Sequence, residues 1–346
     1  MPTIELFAVQ PYMRLTDYLD AEAFYAKMET LFVKAQSLRA DRRSAALIAF
    51  PEELATFLAL VGRQELIRGA TTIDEAYSRI GKALWPQLAG AMWTQRTISL
   101  RRAFFHLTAK DTWRIWRTTM ADLARRFSMT VAAGTALLPE NRLGYATEAF
   151  SPASAHVYNL AMMLDPSGAP LSITRKVNLV PGQEDRLGLA AAPVESALDV
   201  VALPTRPDVT LATAICYDAF AVAHTDHEPG FHGLLPDLDQ KGVHILIQPS
   251  ANPWPWDQPW PLDHERPPRL RKEQWCQESL PTALVPLRSV AVAVNPQLLF
   301  CGLSLHFDGQ SAIWVRGTQG IEALAVAPSF RAESDSECVV HAQWNP

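Results

Sequence analysis

Thr213-Ala-Ile-Cys-Tyr-Asp218 ends an apolar run with a cysteine and follows it at once with a tyrosine and an acid. Free cysteine is among the most buried residue types, so the ordinary reading of Cys216 is a small core residue. The alternative is a nucleophile delivered to a site, because strand ends are where α/β sheets build their sites. If Val209 to Cys216 is extended, Val209, Leu211, Thr213 and Ile215 face one way. Thr210, Ala212, Ala214 and Cys216 face the other, and those small side chains predict open space on the cysteine's side.

Two further segments share the design of an apolar strand that delivers an ionisable residue at its end. Ala45-Ala-Leu-Ile-Ala-Phe50 is wholly apolar, stops at Pro51 and hands on Glu52, the pattern of a strand buried on both faces. His156 to Leu164 and Pro170 to Lys176 flank Asp165-Pro-Ser-Gly168. Asp first, Pro second and Gly fourth suit a type I turn, so these form a hairpin whose second strand ends on Lys176. Val180-Pro-Gly182 is a further turn, which folds Glu184 back toward Lys176. Each has an ordinary reading: Glu52 as a first-turn helix carboxylate favoured by the dipole, Lys176 as a solvated hairpin end.

The remaining elements alternate strand and helix. Ile4 to Gln10, Met129 to Leu138, Val243 to Gln248, Val290 to Val294 and Ser311 to Val315 read as strands, and Ala21 to Ala40 as an amphipathic helix. Phe307-Asp-Gly-Gln310 reads as a second hairpin turn. So many strands imply an α/β fold with two sheets. Between about Gly62 and Phe127 the text turns helical and carries Trp93, Trp113 and Trp116. That segment reads as helices packed outside the sheets or as a lid, not as a separate domain, because strand pattern resumes at Met129.

The 346 residues are 48% apolar and 19% charged, ordinary for a soluble globular protein. A formal net charge of -5 and a pI near 6.0 leave no basic footprint for nucleic acid or an anionic membrane. The amino terminus has no basic and apolar signal-peptide pattern, and Ser44 to Gly62 is interrupted by Pro51, Glu52 and Glu53. Cys216, Cys276, Cys301 and Cys338 form no C-x-x-C pair, which predicts a reducing, cytoplasmic setting.

The three ion-bearing segments resemble the nitrilase superfamily of carbon–nitrogen hydrolases. "FPEEL" resembles its Pro-Glu motif, and "VYNLAMMLDPSGAPLSITRKVNLVPGQE" its Asn-containing strand, Asp-Pro-x-Gly turn and Arg-Lys ending. "ICYD" resembles the nucleophile motif, "GVHILIQPSAN" the next strand and its loop, and "FCGLS" a late Phe-x-Gly-x-Ser. The resemblance implies a four-layer αββα sandwich over residues 1–346, here with a helical insertion at about 62–128. It implies Glu52 as base, Lys176 as cation, Glu184 as second carboxylate and Cys216 as nucleophile, with no cofactor and no metal. Copies of such proteins commonly pair, so a homodimer or larger homo-oligomer is expected.

The roles fit the chemistry of these residue types. A cysteine with a pKa near ~8.5 is only a few per cent thiolate at neutral pH, so a neighbouring base is needed. Lys176 offsets the two carboxylates and, with the backbone N–H of Tyr217, can hold the oxyanion formed when a carbonyl is attacked. Tyr217-Asp218 after the cysteine resembles the amidase and carbamoylase branches, whereas nitrilases proper tend to carry Trp-Glu. The expected activity is therefore hydrolysis of a small amide or N-carbamoyl compound through a thioester. Nitrile hydrolysis, N-acyl transfer and a silent binding protein on the same fold are the alternatives.

Two features stand outside that core. "NPWPWDQPWP", residues 252–261, is a proline-stiffened loop that places Asn252, Trp254 and Trp256 as expected pocket residues, with Trp260 beyond them. His224, Asp226, His227, Glu228 and His232 cluster after the nucleophile, but H-x-x-H lacks the i, i+4 relation of helical zinc motifs, so a polar loop near the entrance is expected. The chain also departs from the family in carrying Val285-Pro-Leu-Arg-Ser289 where many members have Arg-Ala-x-Glu-Asn.

Overall fold

Runs that are apolar at every position need cover on both faces, and that requirement organises the molecule. The computed structural model describes residues 3–263 and 267–346. The chain opens with β1 (Ile4–Gln10), the short β2 (Tyr12–Met13), α1 (Ala21–Leu38) and β3 (Ala45–Phe50). Helices α2 (Gln64–Ile67), α3 (Ile73–Ala83), α4 (Trp85–Gln95) and α5 (Leu100–Phe127) follow. Then come β4 (Thr130–Leu138), β5 (Tyr158–Leu164), β6 (Pro170–Arg175), β7 (Val201–Leu203), β8 (Arg206–Thr213), α6 (Leu235–Gln240) and β9 (Ile245–Ile247). The chain ends with α7 (Arg271–Glu278), α8 (Leu280–Ala283), β10 (Val292–Asn295), β11 (Leu299–Gly302), β12 (Leu305–Phe307), β13 (Ala312–Gly317), β14 (Gly320–Val326) and β15 (Cys338–Trp344).

Two six-stranded sheets, ordered β15-β1-β3-β4-β5-β6 and β14-β13-β10-β9-β8-β7, lie face to face. Between them Ile4, Leu6 and Leu47 of the first sheet meet Leu211, Ile245 and Val294 of the second. The outer face of the first sheet, with Phe7, Ile48 and Phe50, is covered by Phe24 and Met28 of α1 and by Trp113, Trp116 and Met120 of α5. The outer face of the second, with Ala212, Ala214, Leu246 and Ala293, is covered by Leu235 and Leu238 of α6 and by Leu280 and Ala283 of α8. The layers are therefore helix, sheet, sheet, helix, as expected. No helix among the described residues is long and apolar enough to cross a membrane.

Several expectations need correction. The small residues Ala212 and Ala214 do not leave open space; they let the leucines of α6 and α8 pack close against the second sheet. β8 itself stops at Thr213, before the cysteine. Phe307-Asp-Gly-Gln310 is not a hairpin turn, because β12 pairs with β11 whereas β13 pairs with β10 and β14. The hairpin there lies earlier in the chain, joining Gly302 to Leu305 through Leu303 and Ser304, both at positive φ. A Leu-Ser pair in that conformation carries none of the usual Asn-Gly signal.

The helical segment divides in two. α5 is capped by Ser99, whose side chain accepts from Arg102 N, and runs along the first sheet with Trp116 Nε1 donating to Ala133 O at 3.0 Å. It belongs to the outer layer beside α1, while α3 and α4 lie further out. Trp113 and Trp116 are core anchors, but Trp93 on α4 is exposed.

Strand direction gathers the ionisable residues. β3 and β4 are parallel, β5 is antiparallel to β4, and β6 is antiparallel to β5, so β3, β4 and β6 all end on one edge. β8 and β9 are parallel and likewise finish together. The approach of the segment after β3 to β4 is very close. Gly134 has φ +72°, beside a register shift in β4, and a Cβ there would lie 2.3 Å from Pro51 O. We expect Gly134→Ala to push Pro51 and Glu52 outward and to lower stability by about 2 kcal/mol or more, read as the midpoint of urea unfolding; an unchanged midpoint would refute this close-packing account.

Candidate active site

Pro51 ends β3, and the next residue, Glu52, turns its carboxylate into the gap between the sheet edges, almost fully buried. Oε1 accepts from Lys176 Nζ at 2.7 Å and Asn159 Nδ2 at 2.8 Å, and Oε2 from Ala251 N at 3.0 Å. Lys176, the residue after β6 and 1% exposed, also donates to Glu184 Oε2 at 2.6 Å. Glu184 is turned back by the Val180 loop, whose N–H donates to the same Oε2 at 3.0 Å, and its Oε1 accepts from Asn159 at 3.0 Å. One ammonium thus sits between two carboxylates, and three N–H donor groups share the excess negative charge.

Charge states follow from that packing. Burial raises the Glu52 carboxyl; Lys176 opposes the rise and the Glu184 charge adds to it. For Lys176 burial works against the ammonium, but Glu184 and Glu52 outweigh it and hold the amine well above its ordinary value. The Cys216 thiol is raised by burial and by the Glu52 charge, so the resting group is a neutral thiol. Its Sγ donates to Ala251 O at 3.9 Å, and Glu52 is near enough for its carboxylate to be stabilised by the thiol as well.

Cys216 stands at φ +48°, a left-handed conformation uncommon for a residue with a side chain. The surroundings over-determine it. Cys216 N donates to Pro249 O at 2.9 Å, and Gln248 Nε2 donates to Cys216 O at 2.8 Å. Asp218 is fully buried and accepts from Asn178 N at 2.7 Å, Asn178 Nδ2 at 2.9 Å and Val177 N at 3.2 Å. It therefore straps the turn after Cys216 to the chain just past Lys176. Burial raises its carboxyl to about 7, with the N–H donors pulling the other way. The Tyr217 N–H meets no acceptor among the described residues.

A cavity of about 280 Å³ opens onto this group, and Glu52, Lys176, Glu184 and Cys216 all line it. Ile73, Asp74 and Tyr77 of α3 and Arg101 and Phe105 of α5 form part of its wall. Trp254 lines it too. Asn252 and Trp256 stand behind the wall: Asn252 Oδ1 accepts from Arg271 Nε at 2.7 Å, and Trp256 packs on Trp275 with ring centres 5.4 Å apart. The histidine cluster does not form an entrance loop. His224 is buried and stacks on Tyr217 at 3.8 Å, while His232 is drawn to Asp237 at 2.6 Å. No group of three or more His, Cys, Asp or Glu placed to hold a metal occurs among the described residues.

Three participants were not singled out from the sequence. Asn159 had a signal, an amide within the apolar strand Tyr158–Leu164, which needs buried partners. Glu53 was masked by its neighbour: it lies at φ +59°, with its N–H donated to Thr135 Oγ1 at 2.7 Å, and also lines the cavity. Arg271 lies in a charged stretch that reads as solvated, yet it is buried and lines the cavity.

Residues 8–266 match the family model for carbon–nitrogen hydrolases, and the chain belongs to that family. It is thus an enzyme of the class that acts on carbon–nitrogen bonds. Among solved structures it is similar to Nit3 of Saccharomyces cerevisiae, a member of branch 10 of the nitrilase superfamily, at 15% identity and TM-score 0.55, covering 100% of this chain and 91% of that one. A carbon–nitrogen hydrolase from Helicobacter pylori G27 matches at 15% identity and TM-score 0.54, covering 99% and 88%. A mutant amidase from Nesterenkonia sp. AN1, with acrylamide added at its active-site cysteine, matches at 14% and 0.52, covering 100% and 94%. Such distant likenesses show a common fold. A search of curated proteins found no match.

Two outcomes follow from the electrostatics. Lys176→Met leaves two buried carboxylates without their cation, and we expect it to cost about 3–5 kcal/mol in urea unfolding at neutral pH; a loss under 1 kcal/mol would show that the ammonium does not hold the cluster together. Glu53 is raised from 4.5 to about 8, chiefly by burial and then by the Glu52 and Glu184 charges. A carboxyl that binds its proton more tightly when folded loses stability as pH rises from its unfolded value to its folded one. Unfolding free energy should therefore fall between pH 4.5 and about 8, and Glu53→Gln should flatten that fall; a parallel slope in the variant would rule out Glu53 as the source.

Proposed function

We propose that this chain hydrolyses a non-peptide amide or N-carbamoyl bond through a thioester on Cys216. The observation that carries the reading is the thiol at a strained turn, sharing one cavity with the Glu52–Lys176–Glu184 cluster. Glu52 accepts the thiol proton as sulfur bonds to the carbonyl carbon and the π electrons move onto oxygen. Lys176 Nζ and the Tyr217 N–H hold that oxyanion; one such donor is typically worth ~3 kcal/mol in the transition state. As the carbonyl re-forms, the C–N bond breaks and Glu52 returns the proton to nitrogen, releasing ammonia or an amine. Water, losing a proton to Glu52, then attacks the thioester; the C–S bond breaks, the thiol recovers its proton and the acid leaves.

Glu184 makes Glu52 more basic and keeps Lys176 charged in this scheme. The raised Glu52 carboxyl supports the base role, because a base must compete for the proton of a thiol that is itself raised. Tyr217-Asp218 supports the amidase-like choice over nitriles. Residues 1–346 read as one catalytic unit to which the segment 62–128 adds a wall. The test is ammonia release from a panel of short amides, N-carbamoyl amino acids and nitriles. We expect turnover of amides or carbamoyl compounds, a mass increase on Cys216 equal to the acyl group, and at least a 1,000-fold loss in Cys216→Ala. Wild-type turnover by that variant would eliminate the mechanism.

A further inference from the structure

Arg271, the first residue of α7, is 2% exposed and lines the cavity that holds Cys216. Four rings enclose its guanidinium: Trp260, Trp275, Trp254 and Phe220 have centroids 4.8, 5.0, 5.2 and 6.0 Å from Cζ. Its hydrogen bonds go to neutral acceptors, from Nε to Asn252 Oδ1 at 2.7 Å and from Nη1 to Gln274 Oε1. Nη2 makes none among the described residues. Of the acids on its own helix, Glu278 is already taken by Arg269 Nη2 at 2.6 Å and Glu273 accepts from Leu270 N at 3.0 Å.

A buried cation normally has an ionic partner, because desolvation of the charge is only partly returned by aromatic faces and neutral oxygens. The other buried cation of the cavity wall, Lys176, has two carboxylates, and even the half-buried Arg101 at the rim has Asp74 at 2.7 Å. Arg271 is the exception, held rigidly by rings and amides with one edge of its fork uncommitted. That is the state of a residue whose anion arrives with a ligand.

We infer that Arg271 binds a carboxylate carried by the substrate, so that the preferred substrates are short amides or ureido compounds bearing an acid group. The inference rests on the proposed use of the cavity as an active site. Trp254, on the cavity wall and over the guanidinium, gives the apolar chain between scissile carbonyl and acid a face to lie on. A cavity of about 280 Å³ suits a molecule of that size.

The test separates binding from turnover. In the Cys216→Ala chain, calorimetry compares succinamate with butyramide, which has the same amide and a methyl group in place of the carboxylate. We expect succinamate to bind at least 100-fold more tightly, and Arg271→Met in that background to reduce the ratio to under 5. Arg271→Lys keeps the charge without the planar fork and should reduce it at least 10-fold; it serves as the deciding variant if the Met chain does not fold. Equal affinities, or a ratio that survives both substitutions, would overturn the inference. Acylation of wild-type Cys216, followed by mass, reports separately on the hydrolase mechanism: an absent thioester alongside selective succinamate binding refutes the mechanism and leaves the carboxylate site standing.

Discussion

An ammonium ion buried between two carboxylates is expensive to assemble, and most of the geometry around Lys176 answers that cost. Taking three charges out of water is offset only when each remaining lone pair has a donor. Asn159 supplies N–H bonds to both acids, Ala251 N supplies one to Glu52, and Val180 N supplies one to Glu184. Those donors come from β5, from the chain after β9 and from the loop after Lys176, so satisfying one cluster ties both sheets together at a single edge. Within the same cluster burial and the Glu184 charge raise the Glu52 carboxyl while Lys176 opposes the rise, and the two acids hold the Lys176 ammonium charged.

Strain is concentrated at that edge. Cys216 and Glu53 both occupy left-handed backbone, and each is braced by the neighbouring strand of its own sheet: Cys216 by Pro249 O and Gln248 just after β9, Glu53 by Thr135 of β4. Asp218 adds a bond across the site by accepting from Asn178 and Val177. Residues in such conformations persist only where their neighbours hold them, and they gather where a side chain must be aimed precisely. The small volume beneath the cysteine serves a different purpose, since Ala212 and Ala214 admit the outer helices rather than a ligand.

The rest of the cavity is assembled from other parts of the chain. Glu52, Lys176 and Cys216 follow the ends of β3, β6 and β8, whereas α3, α5, the Trp254 loop and the start of α7 make much of the remaining wall. A scaffold that holds chemistry on strand ends and selectivity on helices and loops can change substrate without disturbing the charge cluster. Arg271 belongs to the second group, and its aromatic enclosure keeps a charge on the wall of the same cavity while the cluster's own charges stay paired.

Local pattern was enough to read the strands that lead to Glu52 and Lys176, the turn at Asp165–Gly168 and the two-sheet α/β class, because wholly apolar runs and turn chemistry are properties of neighbours in sequence; it carried the strand before Cys216 three residues too far. Family motifs then named four ionisable residues that the structure brings together. What stayed hidden depended on contacts between distant segments. Arg271 looks like any surface arginine until Trp254, Trp260 and Trp275 close over it, and the Leu303-Ser304 hairpin has no turn residues to announce it. The surroundings of Ala212 and Ala214 were likewise set by which helices pack on that face of the sheet. Burial, charge pairing and cavity shape are sums over the whole packed chain, so only the tertiary structure could decide them.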